Sequence, residues 1–231
     1  MRRVVVVQAR MTSTRLPGKV LMDLAGAPLL EREVQRLRRC RLADEIVLAI
    51  TANADDDPLV ALADRLGLRW HRGSEHDVLS RCLGAAREAR ADVVVRVTSD
   101  CPLIDPGEVD AVIAALDPAT DYAANVLERR LPRGLDAEVL WRDALERTAR
   151  MATSTPAREH VTWFIHSERP DLFVTRSVQR PYDAADLRWT VDTPEDLELA
   201  HDDVAFPAIL AHVRAHPELA AINAHVEQKR S

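Results

Sequence analysis

The stretch Arg3-Val4-Val5-Val6-Val7-Gln8, close to the amino terminus of this 231-residue chain, is the strongest indication of its fold class. A continuous β-branched run is typical of a strand buried on both faces, as in a parallel sheet covered by helices. Strands predicted at 45–51, 68–71 and 92–98 alternate with helices predicted at 28–40, 57–67 and 77–90. This alternation predicts an α/β fold, a three-layer sandwich with a mostly parallel mixed sheet.

Residues 121–190 show a different pattern, in which short strands and helices are mixed. Strands are predicted at 122–126, 136–140, 172–178 and 187–191, and helices at 142–151 and 156–167. We expect an antiparallel extension of the sheet at about 121–185. Thr193 as an N-cap and Pro194 at the first helical position predict a helical tail at about 194–231. The chain is therefore predicted to be one domain, 1–231, with these two additions.

The charge balance excludes several classes of protein. Lys and Arg total 31 against 37 Asp and Glu, a formal charge of −6, which argues against a protein that coats nucleic acid. No stretch approaches the roughly 18 apolar residues of a membrane helix, and the run after Arg2 and Arg3 is too short for a signal peptide. We therefore expect a cytoplasmic protein without a membrane or nucleic-acid partner.

The three cysteines, Cys40, Cys82 and Cys101, lack the spacing of a disulfide framework or a zinc site. Cys40 and Cys82 fall in helical patterns and are expected to be small core residues. Cys101 follows Asp100 in a loop, so a catalytic thiol is an alternative there. No histidine stands in a patterned partnership with Cys101, which disfavours that alternative.

The polar loop from Ala9 to Lys19 has the composition of a phosphate site. It holds the cations Arg10, Arg15 and Lys19, together with three hydroxyls and Gly18. Ligands of parallel α/β sheets bind beyond the carboxyl ends of the strands, and this set of donors suits a triphosphate. The loop lacks the GxxxxGK[ST] pattern of a Walker A motif. On composition alone, a solvated charged loop is an equal alternative.

Two aspartates follow predicted strands and form a candidate metal pair. Asp100 comes after the strand at 92–98, and Asp192 after the strand at 187–191. Mg²⁺ usually takes one or two carboxylates and completes its shell with water and substrate phosphates. The alternative roles are a turn cap for Asp100 and a helix start for Asp192, although Thr193 already supplies that cap.

The order of residues in the loop resembles the nucleotide-binding signature of the sugar-acid cytidylyltransferases, and most closely the spore-coat polysaccharide biosynthesis protein F group. The run Gln8-Ala9-Arg10-Met11, followed by Ser13-Thr14-Arg15-Leu16-Pro17-Gly18-Lys19, carries this resemblance. Further matching blocks lie at 72–79, 98–104, 133–139, 158–162 and 188–196. The resemblance spans residues 4–196 and implies a nucleotide-diphospho-sugar transferase fold of the GT-A type, with a single nucleotidyltransferase domain.

The resemblance also implies a reaction and a set of roles. CTP and an acidic acceptor, a sugar acid or a similar anion, would give a CMP-linked product and pyrophosphate for surface polysaccharide or related biosynthesis. The implied catalytic residues are Arg10, Lys19, Asp100 and Asp192, of which Asp100 and Asp192 would hold Mg²⁺. The implied nucleotide site comprises Gln8, Ala9, Arg10, Ser13, Arg15, Lys19, Arg72, Gly73, Ser74 and Asp100. Of these, Arg72, Gly73 and Ser74 would form a base-side loop that lines the cytosine, and a plain strand-to-helix turn is the alternative there. The implied acceptor site comprises Arg133, Asp136, Glu138, Arg158 and His160, although His160 is equally well explained as a core histidine.

The sequence leaves two alternative functions, and a homodimer is the expected assembly. A glycosyltransferase that uses a nucleotide sugar usually carries a DxD motif after a strand, but Asp100 is followed by Cys-Pro. A non-catalytic nucleotide-binding module is disfavoured because the Arg, Lys and Asp residues are all present. A homodimer is expected from the family and from apolar residues that exceed what a small lobe needs to bury: Leu127, Leu131, Trp141, Trp163 and Phe164.

Overall fold

The computed structural model describes residues 1–193, 195–196 and 206–226 of the chain. Its strands are β1 (Arg3–Ala9), β2 (Asp23–Leu24), β3 (Ala27–Pro28), β4 (Glu45–Thr51), β5 (Arg69–Gly73), β6 (Val93–Thr98), β7 (Tyr122–Ala124), β8 (Glu138–Trp141) and β9 (Thr175–Ser177). Its helices are α1 (Leu29–Leu37), α2 (Asp57–Arg65), α3 (Val78–Glu88), α4 (Pro106–Ala114), α5 (Arg142–Met151), α6 (Thr155–Glu159), α7 (Phe206–Ala215) and α8 (Pro217–Ala221).

The valine-rich strand β1 lies at the centre of the main sheet. Val4 to Val7 are fully buried, as expected of a strand covered on both faces. β1 pairs in parallel with β4 and with β6, so that Val5 faces Ile46 on one side and Val95 on the other. Within the described residues the sheet order is β5-β4-β1-β6-β8-β7-β9. Only β8 runs antiparallel to its neighbours β6 and β7, which confirms the mostly parallel mixed sheet.

Helices cover both faces of this sheet and form the three layers. On one face, α1, α2 and α4 bury Leu30, Leu59 and Val109 against the odd-numbered valines of β1. On the other face, α3, α5 and α6 bury a second core against Val4 and Val6. The helices and cores cover the two faces of the sheet. The carboxyl ends of β1 and β6, with the loops that follow them, therefore remain available to form a site.

Two N-caps show why helices begin where they do. Asp77 accepts a hydrogen bond from the Ser80 amide at 2.9 Å and starts α3, as predicted. The helix α4 was not assigned from the sequence. Asp105 caps it by accepting from the amides of Gly107 and Glu108 at 2.8 and 3.2 Å. The Asp-Pro pair at 105–106 was therefore a usable helix-start signal.

The single helix predicted at 156–167 is wrong. α6 ends at Glu159, Val161 adopts a left-handed φ of 54°, and a π-helical turn covers Phe164–Glu168. A β-branched residue with positive φ is strained and persists only where its surroundings enforce it. Here the Thr162 hydroxyl donates to buried Glu138 at 2.7 Å, and this tertiary bond overrides the helical pattern.

The strand predicted at 187–191 is also wrong. Only one isolated bridge forms, between Arg133 and Arg188. Leu187, Trp189 and Val191 are buried in a third core with α7 instead of joining the sheet. A Cβ at Gly134 would lie 2.6 Å from the backbone of Trp189, so only glycine allows this close approach.

The predictions for the helix start and the tail can be followed only in part. Pro194 lies outside the described residues, as does much of 194–231. The Asp196 amide donates to the Thr193 hydroxyl at 3.4 Å, in the geometry expected of an N-cap. The described tail contains α7 and α8, with Pro207 and Pro217 at the second and first positions of these helices. The described residues include no helix that is both long and apolar enough to cross a bilayer.

The apolar residues that suggested a dimer are used within the chain. Leu131 and Phe164 are buried, and Leu127, Trp141 and Trp163 pack against the cores. These residues therefore do not by themselves argue for a dimer, and the dimer stays a prediction.

Candidate active site

A cleft of about 500 Å³ opens at the carboxyl ends of β1 and β6. Many of the residues singled out from the sequence line it: Gln8, Ala9, Arg10, Ser13, Arg15, Lys19, Asp100, His160 and Asp192. They come from the β1 loop, the β6 loop, the end of α6 and the segment before Asp196. The topology therefore brings together groups that are up to 184 positions apart, between Gln8 and Asp192.

Lys19 is buried at the centre of this cleft and joins the two predicted metal ligands. Its Nζ donates to Asp100 Oδ2 at 3.0 Å, to Asp192 Oδ1 at 2.8 Å and to the Val191 carbonyl at 2.7 Å. An ammonium has three donor hydrogens, so this geometry uses all of them. Asp100 and Asp192 therefore lie on either side of one ammonium, although no strand of the described chain immediately precedes Asp192, and their role as a magnesium pair stays a prediction.

The surroundings of this contact keep both Lys19 and Asp100 charged. Burial by itself lowers the pKa of Lys19, but the charges of Asp100 and Asp192 outweigh it and raise the pKa. Burial also opposes ionisation of Asp100, yet the Lys19 ammonium and the Thr98 hydroxyl, 2.6 Å away, bring its pKa below the ordinary value. The site therefore holds a charged pair at neutral pH.

Asp192 gathers two further cations. Arg15 Nη2 lies 2.8 Å from Asp192 Oδ2, and Arg188 Nη2 lies 2.6 Å from the same oxygen. Arg188 in turn pairs with Asp196 at 3.0 Å. Among the side chains that line the cleft, the cations Arg10, Arg15, Lys19 and Arg81 outnumber the carboxylates Asp100, Glu159 and Asp192, which suits a polyanionic ligand.

The loop that carries Arg10 and Arg15 is shaped by its backbone. Gly18 has φ 71°, in the left-handed region that glycine occupies without strain, and its amide bonds to the Met11 carbonyl at 2.9 Å. The Met11 amide donates to the buried carboxylate of Asp56 at 2.7 Å. These bonds fold the loop back over the cleft, so its cations face one ligand.

The residues present fit a magnesium ion of the substrate-completed kind. No cluster of three or more metal-ligating side chains occurs within the described residues, so a closed structural metal cage is not built here. Asp100 and Asp192 are two hard oxygen donors in the wall of the cleft, and because both contact Lys19 Nζ, a metal bound between them would take the place that this ammonium holds. Mg²⁺ commonly binds through one or two carboxylates with water and phosphate oxygens as the other ligands.

The predicted base-side residues lie beside the cleft. Arg72 forms an ion pair with Asp57, and the Ser74 carbonyl accepts a bond from Arg81. A Cβ at Gly73 would lie 3.0 Å from the Arg81 side chain, so the loop rests directly on α3. Arg81, which was not in the predicted set, lines the cleft, while Arg72, Gly73 and Ser74 do not line it and stay predictions as nucleotide ligands.

The predicted acceptor residues are mostly held in other contacts. Glu138 is buried and binds Arg96, Tyr122 and Thr162. The two carboxylate oxygens of Asp136 accept hydrogen bonds from the Arg129 guanidinium at 2.6 and 2.9 Å, in a bidentate ion pair.

Two cations of the same predicted set also lie apart from the cleft. Arg158 pairs with Asp77 at 3.3 Å. Arg133 lines a separate cavity of about 340 Å³ beside Trp189 and Asn223. Of the five predicted acceptor residues, His160 is the one that the structure places on the cleft.

Several residues of the cleft were not assigned a role from the sequence. Arg81, Thr98 and Thr155 line it, with Thr14, Val78, Ser99 and Pro156. Glu159, which lies in the matching block 158–162 on the acceptor side, lines it as well. Thr98 ends the strand β6, so its place at the sheet edge was a usable signal. Thr155 and Arg81 could not be found in this way, because they reach the cleft only through the packing of α6 and α3.

The alternative of a catalytic thiol at Cys101 is not supported. Cys101 is buried, and burial together with the charge of Asp100 raises its pKa well above the ordinary value. A thiol kept in its protonated form is a poor nucleophile.

Comparisons with known proteins identify the family of this chain. The model of a family described as "Cytidylyltransferase" matches residues 4–204. The spore coat polysaccharide biosynthesis protein SpsF of Bacillus subtilis is 35% identical over 201 residues, which is 84% of this chain and 82% of that protein. The 3-deoxy-manno-octulosonate cytidylyltransferase of Chloroherpeton thalassium is 37% identical over 115 residues, 49% of this chain and 45% of that protein. The solved structure of a cytidylyltransferase from Leptospira borgpetersenii is 26% identical and covers 100% of both chains with a TM-score of 0.91.

The fold and the cationic cleft define a nucleotidyltransferase of the α/β class. The family match is more specific, because it covers most of the chain, including the β1 loop, Asp100 and Asp192. The chain belongs to the cytidylyltransferase family and is a CTP-dependent nucleotidyltransferase. This membership selects nucleotidyl transfer over the glycosyltransferase and the non-catalytic module.

Proposed function

We propose that the protein transfers CMP from CTP to an oxygen of a small anionic acceptor, a sugar acid or a similar anion. The acceptor oxygen attacks the α-phosphorus in line and forms a new P–O bond. The bond to the bridging oxygen of pyrophosphate breaks, pyrophosphate leaves, and a hydroxyl proton passes to solvent. The observation that carries this proposal is the shared contact of Lys19 with Asp100 and Asp192 in the cleft.

The chain's own residues supply positioning and charge. Arg10, Arg15 and Lys19 bind the triphosphate and offset the charge that grows on the leaving pyrophosphate. Asp100 and Asp192 would hold Mg²⁺, which when bound would supply further stabilisation of negative charge. Thr98 donates a 2.6 Å hydrogen bond to Asp100 Oδ1 and so orients the carboxylate toward Lys19, which donates to Oδ2. Since phosphoryl transfer depends mainly on alignment, these roles are sufficient for the step.

An acidic acceptor is supported by the name of one relative, which acts on 3-deoxy-manno-octulosonate. His160 and Thr155 offer hydrogen-bond donors on the α6 side of the cleft, where the acceptor would sit. We also propose a cytoplasmic role in surface polysaccharide or related biosynthesis, supported by the spore coat relative.

A pyrophosphate-release assay tests the function. The purified protein is incubated with each of the four nucleoside triphosphates and a panel of sugar acids and phosphonates, with Mg²⁺ or with a chelator. We expect release only with CTP, only with an anionic acceptor and only with the metal. Equal release with UTP, activity in chelator, or transfer to neutral sugars alone would contradict the proposal.

We further propose a homodimer. Strand β9 is at the edge of the sheet, and Leu172 and Val174 beside it are 36% and 57% exposed. An exposed strand edge with apolar neighbours is a surface that proteins usually cover. Light scattering is expected to give twice the chain mass of 25.8 kDa, and a mass equal to one chain at micromolar concentration would contradict the dimer.

A further inference from the structure

One acidic residue lies among the cations of the phosphate side. Glu75 contacts the guanidinium of Arg10 at 3.6 Å, although a carboxylate next to a triphosphate site opposes binding by its charge. A charge that acts against the ligand needs another reason for its presence. The contacts of Glu75 with neighbouring loops provide one.

Glu75 joins three loops that follow three neighbouring strands. Its Oε1 accepts a hydrogen bond from the Thr12 hydroxyl at 2.5 Å, in the loop after β1. Its Oε2 accepts from the Asn53 amide nitrogen at 2.7 Å, in the loop after β4. Glu75 itself stands in the loop after β5, directly after the predicted base-side residues. Each carboxylate oxygen is therefore used to hold one neighbouring loop.

The loop of Glu75 is also held from below. Arg81 donates to the carbonyl oxygens of Ser74 and Glu75, and Arg81 is itself a buried wall of the cleft. Hydrogen bonds from Thr12 and then Asn53 lower the pKa of Glu75, so it is ionised at neutral pH and both oxygens accept. The base-side loop is thus fixed to α3 on one side and to the phosphate loop on the other.

We infer that Glu75 is a positioning residue that ties the base-side loop to the phosphate loop, so that the two halves of CTP are bound as one unit. The inference rests on the assignment of these loops to base and triphosphate given above. Glu75 favours CTP binding through its hydrogen bonds with Thr12 and Asn53, while its negative charge opposes binding of the triphosphate. A neutral residue that keeps both hydrogen bonds should therefore bind CTP at least as well.

Calorimetry of CTP and of inorganic tripolyphosphate, in chelator, tests this inference. Glu75→Ala should weaken CTP about tenfold, because hydrogen bonds with a charged partner are lost and the loops separate. Tripolyphosphate should change by less than about threefold, because it contacts only the cationic loop and gains from the lost acid. Glu75→Gln should bind CTP within about threefold of the wild type, since its amide oxygen accepts from Thr12 and its amide nitrogen donates to a rotated Asn53.

A second variant keeps the test valid where Glu75→Ala lowers the melting temperature. Thr12→Val removes the hydroxyl at the other end of the tie at nearly constant shape, and should also weaken CTP severalfold. Together with Glu75→Ala it should cost little more than the worse single change, as residues in one contact do. Asp55→Ala, an exposed acid in the loop of Asn53, is the matched control and should leave CTP binding unchanged.

Three results would overturn the inference. Wild-type CTP affinity in Glu75→Ala would mean that the tie has no effect. If Glu75→Gln bound CTP as weakly as Glu75→Ala, the effect would come from the negative charge of Glu75 beside Arg10 and not from its hydrogen bonds. Equal losses for CTP and tripolyphosphate would show support of the cationic loop alone. None of these measurements uses an acceptor or a metal, so a failure of the proposed transfer reaction is seen separately, in the pyrophosphate assay.

Discussion

The phosphate side of the cleft and the segment 129–160 are both rich in arginine and acidic residues, but the structure uses these charges differently. On the phosphate side, Arg15 and Lys19 share Asp192 along the wall of the cleft. In the segment 129–160, Arg129 is paired with Asp136 and Glu138 with Arg96, away from the cleft. The comparison shows that a charged motif indicates a ligand only where the charges face an open surface, because pairs closed on themselves support the fold.

The largest effect is expected where a closed pair is broken. Glu138→Ala leaves the Arg96 guanidinium, only 14% exposed, without its carboxylate. Loss of one partner of a buried ion pair costs about 3–5 kcal/mol of the free energy of unfolding, measured by urea denaturation. Adding Arg96→Met should restore part of this loss. A cost below about 1 kcal/mol would mean that the pair is solvated and not structural.

The pH dependence of stability tests the same ion pair of Glu138 and Arg96. Burial by itself raises the pKa of Glu138, but the charge of Arg96 and the bonds from Thr162 and Tyr122 lower it below 4.5. In that range the unfolded chain binds a proton that the folded chain does not, so stability is present above pH 4.5 and falls as the pH falls. Glu138→Gln should flatten this acid limb of a stability–pH curve. An unchanged slope would assign acid sensitivity to other carboxylates.

On the phosphate side, the aspartate pair should affect catalysis more than stability. Asp100→Asn and Asp192→Asn should each lower turnover on the order of a hundredfold, because a charged ligand of the metal is lost. The double variant should be little worse than the worse single one, since residues acting as a unit are not additive. The measurement is turnover against Mg²⁺ concentration for the wild type and the three variants.

The contrary result for the aspartate pair is also clear. Multiplicative losses, or near-normal turnover in either single variant, would show that Asp100 and Asp192 do not act as one metal site. The contact of both with Lys19 would then be structural, and the phosphate side would resemble the closed pairs of 129–160.

A smaller effect is expected from one cation of the open side. Arg15→Ala should weaken CTP about tenfold, because a charge-assisted contact with phosphate is lost at a partly exposed position. Arg150→Ala, at an exposed arginine of α5, is the matched control. Calorimetry that found wild-type CTP affinity in Arg15→Ala would limit Arg15 to its contact with Asp192.

The smallest effect sharpens the comparison from the other side. Arg158 and Asp77 are 29% and 34% exposed, and such pairs contribute less than about 1 kcal/mol. Arg158→Ala should therefore leave the melting temperature nearly unchanged and the KM for the acceptor unaffected. A large rise of that KM alone would return Arg158 to the acceptor site, as the sequence resemblance implied.

Local pattern was a good guide for much of the fold. The valine run of β1, the strand at 45–51 and the helix at 142–151 follow from β-branched runs and helical spacing, which act over a few residues. It failed at 156–167, where the bond between Thr162 and Glu138 breaks a helical pattern. It also failed at 187–191, where Trp189 is buried against α7 and not in the sheet. In both places long-range burial outweighs local propensity.

Local sequence pattern is enough to predict the central sheet, the cationic loop, and Asp100 and Asp192 as candidates, because β-branched runs and residue types are local properties. Which charges line the cleft depends on the tertiary structure. Glu138 and Arg96 form an ion pair within the fold, whereas Arg15 and Lys19, which both pair with Asp192, line the cleft. Pairing between distant positions depends on the packing of α3, α6 and the segment before Asp192 on the sheet. This is why the phosphate side could be predicted from its motif, and why the position of Arg81 and the tie through Glu75 could not.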